Sequence, residues 1–127
     1  MPSYISLASA LSYYNIYTQQ LCSVIESVAL KRSKTFIVNG IEFRFILVKK
    51  VFYTGFITEN NFFIAESEKA LADAVYLSSI GKYDLDFDAV DFGKISKQKV
   101  NEYIKLTNSR TKTFWENLCK HYGIQKN

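Results

Sequence analysis

The dipeptide Asn39-Gly40 separates two runs of β-branched and aromatic residues, and it constrains the fold of this chain more than any other local feature. Both residues readily adopt positive φ, so the pair favours a two-residue type I′ turn between antiparallel strands. The run Ile41–Phe45 alternates apolar with charged residues, as in a strand with one covered face. The sequence therefore predicts a β-hairpin of strands at about Thr35–Val38 and Ile41–Leu47.

Turn and capping residues on both sides of this hairpin predict one more strand pair and two helices. The shorter pair is expected at residues 55–58 and 62–65, turned at the Asn-Asn dipeptide between them. Ser6 is predicted to cap a first helix that ends at Asn15 in the left-handed region. Ser67 is predicted to cap a second helix that ends at Gly81.

Two C-terminal helices are predicted after an acidic, irregular connection at residues 82–93. Ser96 is expected to cap the first, and the second should begin near Arg110 and end at Gly123. The expected buried positions of these helices are Val100, Tyr103, Ile104, Phe114, Trp115, Leu118 and Tyr122. The predicted fold class is α+β: a small, mostly antiparallel sheet with an N-terminal helix, a helix after the last strand and two C-terminal helices.

Length and composition predict one globular domain spanning residues 1–127. Apolar residues make up 48% and charged residues 22% of the chain. No apolar run approaches the roughly 18 residues that a membrane span needs, and the N-terminus lacks the pattern of a signal peptide. Cys22 and Cys119 fit two buried thiols in a reducing compartment. We therefore expect a cytoplasmic protein without membrane contact.

The formal net charge of +4 is distributed unevenly along the chain. Between residues 31 and 50 there are six bases and one acid, whereas residues 59–91 hold eight acids and two bases. Such segregation predicts a positive face for an anionic partner, nucleic acid included. Alternatively, the first basic residues protect an edge strand from pairing with another chain. The six bases are Lys31, Arg32, Lys34, Arg44, Lys49 and Lys50.

The acidic motif Asp84-x-Asp86-x-Asp88 resembles the beginning of a calcium-binding EF-hand loop. That loop requires a glycine at its sixth position and a bidentate glutamate at its twelfth. This chain has Ala89 and Ile95 at those positions, so we interpret the motif as a solvated loop.

The remaining candidates for catalysis or metal binding are also incomplete. Cys119 and His121 have too few partners for a zinc site or a Cys–His nucleophile. Glu66, Glu68 and Lys69 together suggest a metal-dependent nuclease, but acids in the first turn of a helix are explained by the helix dipole. Lys69 and Asp73 are four residues apart and are expected to pair on the surface of the helix. We therefore predict no catalytic residue, no metal site and no cofactor.

Three stretches of the chain carry a family resemblance. Residues 4–16 read Tyr-Ile-Ser-Leu-Ala-Ser-Ala-Leu-Ser-Tyr-Tyr-Asn-Ile, and the basic segment 31–36 precedes a strand. Residues 64–73 include Glu68, Lys69 and Asp73 in the order Glu-Lys-Ala-Leu-Ala-Asp. Together these stretches resemble the C-terminal domain of the abortive-infection (AbiE-type) antitoxins, over about residues 3–80. The family patterns are Tyr-Ile-Ser-Leu-x-Ser-Ala-Leu-x-Tyr-Tyr-Gly-Leu and Thr-Pro-Glu-Lys-Ala-Leu-x-Asp.

The sequence departs from the family in four respects. Asn15 stands where glycine is usual, Ser67 replaces a proline, and Phe45 stands where a histidine often follows the arginine. The winged helix-turn-helix that precedes the domain in the family is not part of this sequence. The change at Phe45 removes any role that the histidine would have.

The resemblance implies a non-enzymatic, antitoxin-like regulatory domain of a bacterial type IV toxin–antitoxin system that serves phage defence by abortive infection. In that family the winged domain represses transcription, and the C-terminal domain supports neutralisation of a nucleotidyltransferase-like toxin without a stable complex. The resemblance assigns the working positions to the basic face and to the later helix. These positions are Lys31, Arg32, Lys34 and Arg44, with Glu68, Lys69 and Asp73.

Three alternative functions remain open at this point. The chain could be an accessory domain that binds nucleic-acid backbone through its basic residues. It could be a degenerate nuclease-like domain, which requires Glu66 or Glu68 to converge with another carboxylate. It could also be an oligomerisation module with Tyr13, Tyr53 and Phe62 at the interface.

Overall fold

The computed structural model describes residues 2–19 and 23–124. Within these ranges the chain forms one six-stranded sheet and four α-helices, which confirms the predicted α+β class. The elements in chain order are β1 (Ser3–Ile5), α1 (Leu7–Tyr13), β2 (Val24–Ala29), β3 (Lys34–Val38), β4 (Ile41–Leu47), β5 (Phe56–Glu59), β6 (Phe62–Ala65), α2 (Ser67–Ser79), α3 (Lys97–Ile104) and α4 (Ser109–Tyr122).

The strand order in the sheet is β3-β4-β2-β1-β6-β5. Three neighbouring pairs, β3–β4, β1–β2 and β5–β6, are antiparallel. The pairs β2–β4 and β1–β6 are parallel, with Ala29 opposite Leu47 and Ile5 opposite Ile64. The sheet is therefore mostly antiparallel, as predicted, but two parallel pairings join its three antiparallel units.

Both predicted hairpins are present. Asn39 and Gly40 have φ of 52° and 79°, and Asn60 and Asn61 have φ of 46° and 68°. Positive φ at both central positions is the type I′ geometry, which matches the twist of the flanking strands.

The short strand β1 was not predicted from the sequence. Its three residues are too few for a periodic signal, and they become a strand because β2 pairs on one side and β6 on the other. Since β1 lies in the middle of the sheet, the N-terminal residues hold its two halves together.

Helix α2 is the central helix of the fold. Nine of its 13 residues are buried, and it packs against α1, α3 and α4. The hydrophobic core around it includes Leu11 of α1, Val100 of α3 and Trp115 of α4. Cys119 is buried as predicted, whereas Cys22 lies outside the described residues. Within the described ranges, every helix is too short or too polar to cross a membrane.

The ends of the helices show which capping predictions hold. The Ser96 hydroxyl accepts a hydrogen bond from the Lys99 amide at 3.4 Å, and Gly123 ends α4 with φ of 61°. The prediction that Ser67 caps α2 was wrong, since Glu66 occupies the cap position. Ser6 precedes α1 as expected but makes no capping hydrogen bond, because its hydroxyl bonds elsewhere.

Candidate functional site

Five of the six predicted basic residues lie at one end of the sheet, which we call the basic sheet end. Strands β2 and β4 run parallel with Ala29 opposite Leu47, so the segments that follow them leave the sheet side by side. The Val48 amide donates to the Ala29 carbonyl at 2.9 Å, and the Leu47 amide donates to the Ser33 hydroxyl at 2.9 Å. The members of the basic sheet end are Lys31, Arg32, Lys34, Lys49 and Lys50, and all five are exposed.

Arg44 lies apart from the basic sheet end. It sits in the middle of β4, where its guanidinium pairs with Glu42 and approaches Glu26 to 4.0 Å. Hydrogen bonding to Glu42 raises the pKa of Arg44 above its usual value. Because Glu42 pairs directly with this charge, Arg44 adds little positive potential to the surface.

The Lys69–Asp73 pair lies inside the protein, which corrects the expectation that it forms on the surface of α2. Lys69 is 2% exposed and Asp73 is 3% exposed, and the two side chains are in direct contact. The i, i+4 spacing predicted the pair correctly. Its burial arises because α3, α4 and the sheet enclose α2, which a local spacing rule does not reveal.

Two hydroxyls from the start of the chain complete the surroundings of Asp73. Tyr4 and Ser6 both donate to Asp73 Oδ2, at 2.8 Å and 2.7 Å. Lys69 Nζ also donates to the Tyr4 hydroxyl at 2.9 Å. A buried carboxylate needs such partners, since an unpaired charge in the interior costs several kcal/mol. We call these four residues the Tyr4–Lys69–Asp73 cluster.

The Tyr4–Lys69–Asp73 cluster is suited to fixing β1 against α2. Burial, and next the charge of Asp73, raise the pKa of the Tyr4 phenol above its ordinary range, so the phenol stays protonated and donates to Asp73. The Tyr4 ring stacks on Phe56 with centroids 4.8 Å apart. Tyr4 and Ser6 were missed as site residues, although they stand in the first family-like stretch.

Glu66 and Glu68 each make a defined hydrogen bond. Tyr103 donates to Glu66 Oε2 at 2.9 Å, and the Ser96 amide donates to Glu68 Oε2 at 3.1 Å. Burial and the contact with Glu66 raise the pKa of Tyr103 to about 12. The two glutamates therefore tie the start of α2 to the beginning and the end of α3. In the described part of the chain, His, Cys, Asp and Glu side chains form no group of three that could hold a metal ion.

The acidic connection before α3 forms two short 3₁₀ turns. Asp86 accepts from the Asp88 amide, and Asp91 accepts from the Gly93 amide, each at 3.1 Å. Tyr122 donates to Asp88 Oδ1 at 2.5 Å. These carboxylates thus hold the connection in shape and join it to the end of α4.

A second buried carboxylate, Glu26 of β2, was not singled out from the sequence. It is 5% exposed, and the Tyr83 hydroxyl donates to its Oε1 at 2.7 Å. Burial raises the pKa of Glu26, and the hydrogen bond from Tyr83 and the charge of Arg44 partly offset this effect. The sequence of β2, Val-Ile-Glu-Ser-Val-Ala, has no alternating pattern and gave no sign that this side chain lies inside.

Phe62 lies between the other two aromatics of the predicted oligomer interface, since it contacts Tyr13 and lines a surface cavity together with Tyr53. Tyr13 is 45% exposed and meets Phe62 edge-on, with centroids 5.9 Å apart. Tyr53 packs against Tyr4 at 5.2 Å. The larger exposed apolar residues include Ile37 and Val38 on the edge strand β3.

Comparisons of this chain with models of protein families, with curated proteins and with solved structures gave no match.

Proposed function

We propose that this chain is a non-enzymatic, antitoxin-like regulatory domain of the AbiE type, which counteracts a nucleotidyltransferase-like toxin in bacterial phage defence. The observation that carries the proposal is the contact between the two most specific family-like stretches. Tyr4 and Ser6 from the first stretch bond to Asp73 of the third. Tyr14 also donates to the Ala65 carbonyl at 2.8 Å.

These contacts support the resemblance because they join the two stretches that carry it into one structural unit. In this proposal the Tyr4–Lys69–Asp73 cluster has a structural role, since all its charges are paired and enclosed. The motif positions Lys69 and Asp73 then preserve the fold, and Glu68 anchors α3 through the Ser96 amide.

The basic sheet end is the proposed working surface. It carries five exposed bases on two adjacent segments, 31–34 and 48–50, and neither segment contains an acid. Such a cluster attracts anionic partners over distances of about a Debye length, roughly 8 Å at physiological salt. A surface of this kind can act on the toxin or on its anionic target without a stable complex.

A co-expression rescue assay tests the proposal. The chain would be produced together with a nucleotidyltransferase-like toxin encoded beside its own gene, and growth would be scored. We expect rescue by the natural chain and loss of rescue when Lys31, Arg32 and Lys34 are changed to Ala. The matched control removes the same charge elsewhere, through Lys82→Ala, Lys99→Ala and Arg110→Ala, and should rescue fully.

Two outcomes of this assay would contradict the proposal. Growth inhibition that persists with the folded natural chain would leave the resemblance as one of fold. Equal rescue by the variant with Lys31, Arg32 and Lys34 changed to Ala and by the control would show that residues 31–34 are not the working surface.

The second candidate function is binding to nucleic-acid backbone, and the same basic sheet end favours it. Affinity for a single-stranded oligonucleotide should then fall with salt, with a log–log slope of about −0.7 for each phosphate contact. Removing Lys49 and Lys50 should make that slope less steep by the amount expected for one to two phosphate contacts. Fluorescence anisotropy over a salt series measures the slope. An unchanged slope would rule out this surface as the binding site.

A further inference from the structure

Helices α3 and α4 border an open groove of about 530 Å³. Its floor is largely apolar, and its rims carry charged side chains from both helices. The floor includes Ile104, Trp115, Cys119 and Ile124, and the rims include Lys97, Lys105, Lys112, Glu116 and Lys120.

The charge of the groove is strongly one-sided. Four lysines and a single glutamate line it, and three of those lysines are exposed. Among residues 2–19 and 23–124, the ion pairs within 4.0 Å involve Arg44, Lys69 and Lys94 but none of these four lysines. Their charges are therefore available to a ligand.

The lysines are spread along the groove. On α3 the two rim lysines are eight residues apart, and on α4 the pair Lys112 and Lys120 has the same spacing. At a rise of 1.5 Å per residue, each pair spans about 12 Å. This separation along each rim favours an elongated ligand with acids along its length over a single phosphate.

Because its floor is apolar, the groove fits an amphipathic ligand better than a ligand that carries only negative charge. Trp115 is 3% exposed, and its indole Nε1 already donates to Asn101 Oδ1 at 2.7 Å. Its ring is thus unavailable for stacking on a nucleic-acid base, and its N–H is unavailable to a phosphate. Ile104 is only 3% exposed, whereas Ile124 is half-buried, so an apolar side chain of the ligand would chiefly cover Ile124.

We propose that the groove between α3 and α4 docks an acidic amphipathic helix of a partner protein. The apolar face of that helix covers the floor, and its flanking glutamates or aspartates meet the lysines on both rims. This is the helix-in-groove mode of recognition, with charge complementarity setting the orientation of the bound helix. The inference stands independently of the antitoxin proposal, since it uses other residues and a different face of the molecule.

A synthetic peptide tests this inference directly. The probe is a 16-residue helix-favouring peptide with leucines spaced i, i+3, i+4, i+7 along one face and glutamates elsewhere. Trp115 is the chain's only tryptophan, so its fluorescence reports binding without a label. We expect saturable binding by the full chain that weakens with salt, and none by a scrambled peptide of equal composition.

Charge reversal on one rim supplies the decisive comparison. Lys112→Glu with Lys120→Glu should weaken peptide binding by about tenfold or more, because two attractions become repulsions. The matched control, Lys82→Glu with Lys99→Glu, changes the same charge outside the groove and should bind as the natural chain does. All four positions are exposed, so the substitutions should not disturb the fold, and circular dichroism checks this. The variant Lys112→Gln with Lys120→Gln repeats the test by removing the two charges without reversing them.

Several outcomes would overturn the inference. Absence of peptide binding, or binding that charge reversal leaves unchanged, would exclude an acidic helix as the occupant. Displacement of the peptide by a single-stranded oligothymidylate would assign the groove to nucleic acid. Self-association of the natural chain that Lys112→Glu with Lys120→Glu abolishes, measured by sedimentation velocity, would assign it to a second copy of the chain.

Discussion

Gly55 combines a left-handed backbone with a crowded position beside the Tyr4–Lys69–Asp73 cluster. Its φ is +76°, and a Cβ added there would lie 2.7 Å from Lys69 Cγ and 2.9 Å from the Tyr103 ring. Its carbonyl also accepts a hydrogen bond from the Glu66 amide at 2.9 Å. This glycine lets the β5 segment approach α2 closely enough to seal the cluster.

Gly55→Ala should therefore cost more than the backbone strain alone. We expect a loss of about 3 kcal/mol in the free energy of unfolding, of which about 1 comes from positive φ and the rest from overpacking. Urea denaturation followed by circular dichroism measures it. Gly81→Ala is the matched control, since Gly81 has φ of +75° with no atom near the added Cβ. Equal losses in the two variants would show that the close approach does not matter.

Lys69→Met tests the energetic role of the buried ion pair. Removing the ammonium leaves Asp73 buried with an uncompensated charge, so we expect a loss of about 3–5 kcal/mol in the free energy of unfolding. Combining Lys69→Met with Asp73→Asn should recover part of that loss, because the amide is neutral and still accepts from the Tyr4 and Ser6 hydroxyls. Chemical denaturation of both variants provides the comparison, and a double variant less stable than Lys69→Met would contradict this account.

At the scale of elements, the cap of α4 joins two helices. The Asn108 side chain accepts from the Thr111 amide at 2.9 Å and lies 3.1 Å from the Thr111 hydroxyl. That hydroxyl lies 2.8 Å from the Ser79 hydroxyl near the end of α2. One side chain thus fixes both the beginning of α4 and its position against the central helix.

Asn108→Ala should reduce the free energy of unfolding by about 1–2 kcal/mol, since an exposed helix N-terminus loses its cap. Asn108→Asp keeps an acceptor and should retain most of the stability. Thermal and urea unfolding would be compared for the two variants. If Asn108→Asp lost as much as Asn108→Ala, the cap hydrogen bond would not be the source of the effect.

Across the whole molecule, burial of Glu26 links stability to pH. Burial raises the pKa of Glu26 above that of the unfolded chain, so the folded state holds the proton more tightly. The contribution of Glu26 to the free energy of unfolding is fully present below its pKa in the unfolded chain. It is lost as the pH rises through its pKa in the folded state.

Glu26→Gln should abolish this loss of stability at rising pH. We expect the stability of the variant relative to the natural chain to increase as the pH rises through the folded-state pKa of Glu26. Urea titrations at a series of pH values measure the difference. Glu102→Gln, at an exposed position of α3, is the matched control for the loss of one carboxylate. A difference that stays constant with pH would contradict the prediction.

Much of the local structure followed from the sequence because its signals act over a few residues. Asn39-Gly40 predicted a hairpin with the correct turn, and the structure gives β4 the predicted bounds. Gly123 predicted the end of α4 by the same kind of short-range reasoning. The prediction for the start of α2 was wrong by one residue, since Glu66 and not Ser67 occupies the cap position.

The candidate sites depended more on tertiary structure. The segregation of bases along the chain was visible in the sequence, but only the parallel pairing of β2 with β4 brings Lys31 and Lys49 to the same end of the sheet. In the same way, the spacing of Lys69 and Asp73 predicted that they pair, but it did not predict that the pair is buried.

Local patterns in the chain were enough to predict the turns, most helix ends, the fold class and the charged segments, since each depends on backbone preferences or patterns within a few positions. The strand order, the central place of β1, the enclosure of Glu26 and Asp73, and the groove between α3 and α4 arise only when the chain folds. These features depend on which distant surfaces meet, and the free energy of that choice is shared among many weak contacts that no single stretch of sequence contains.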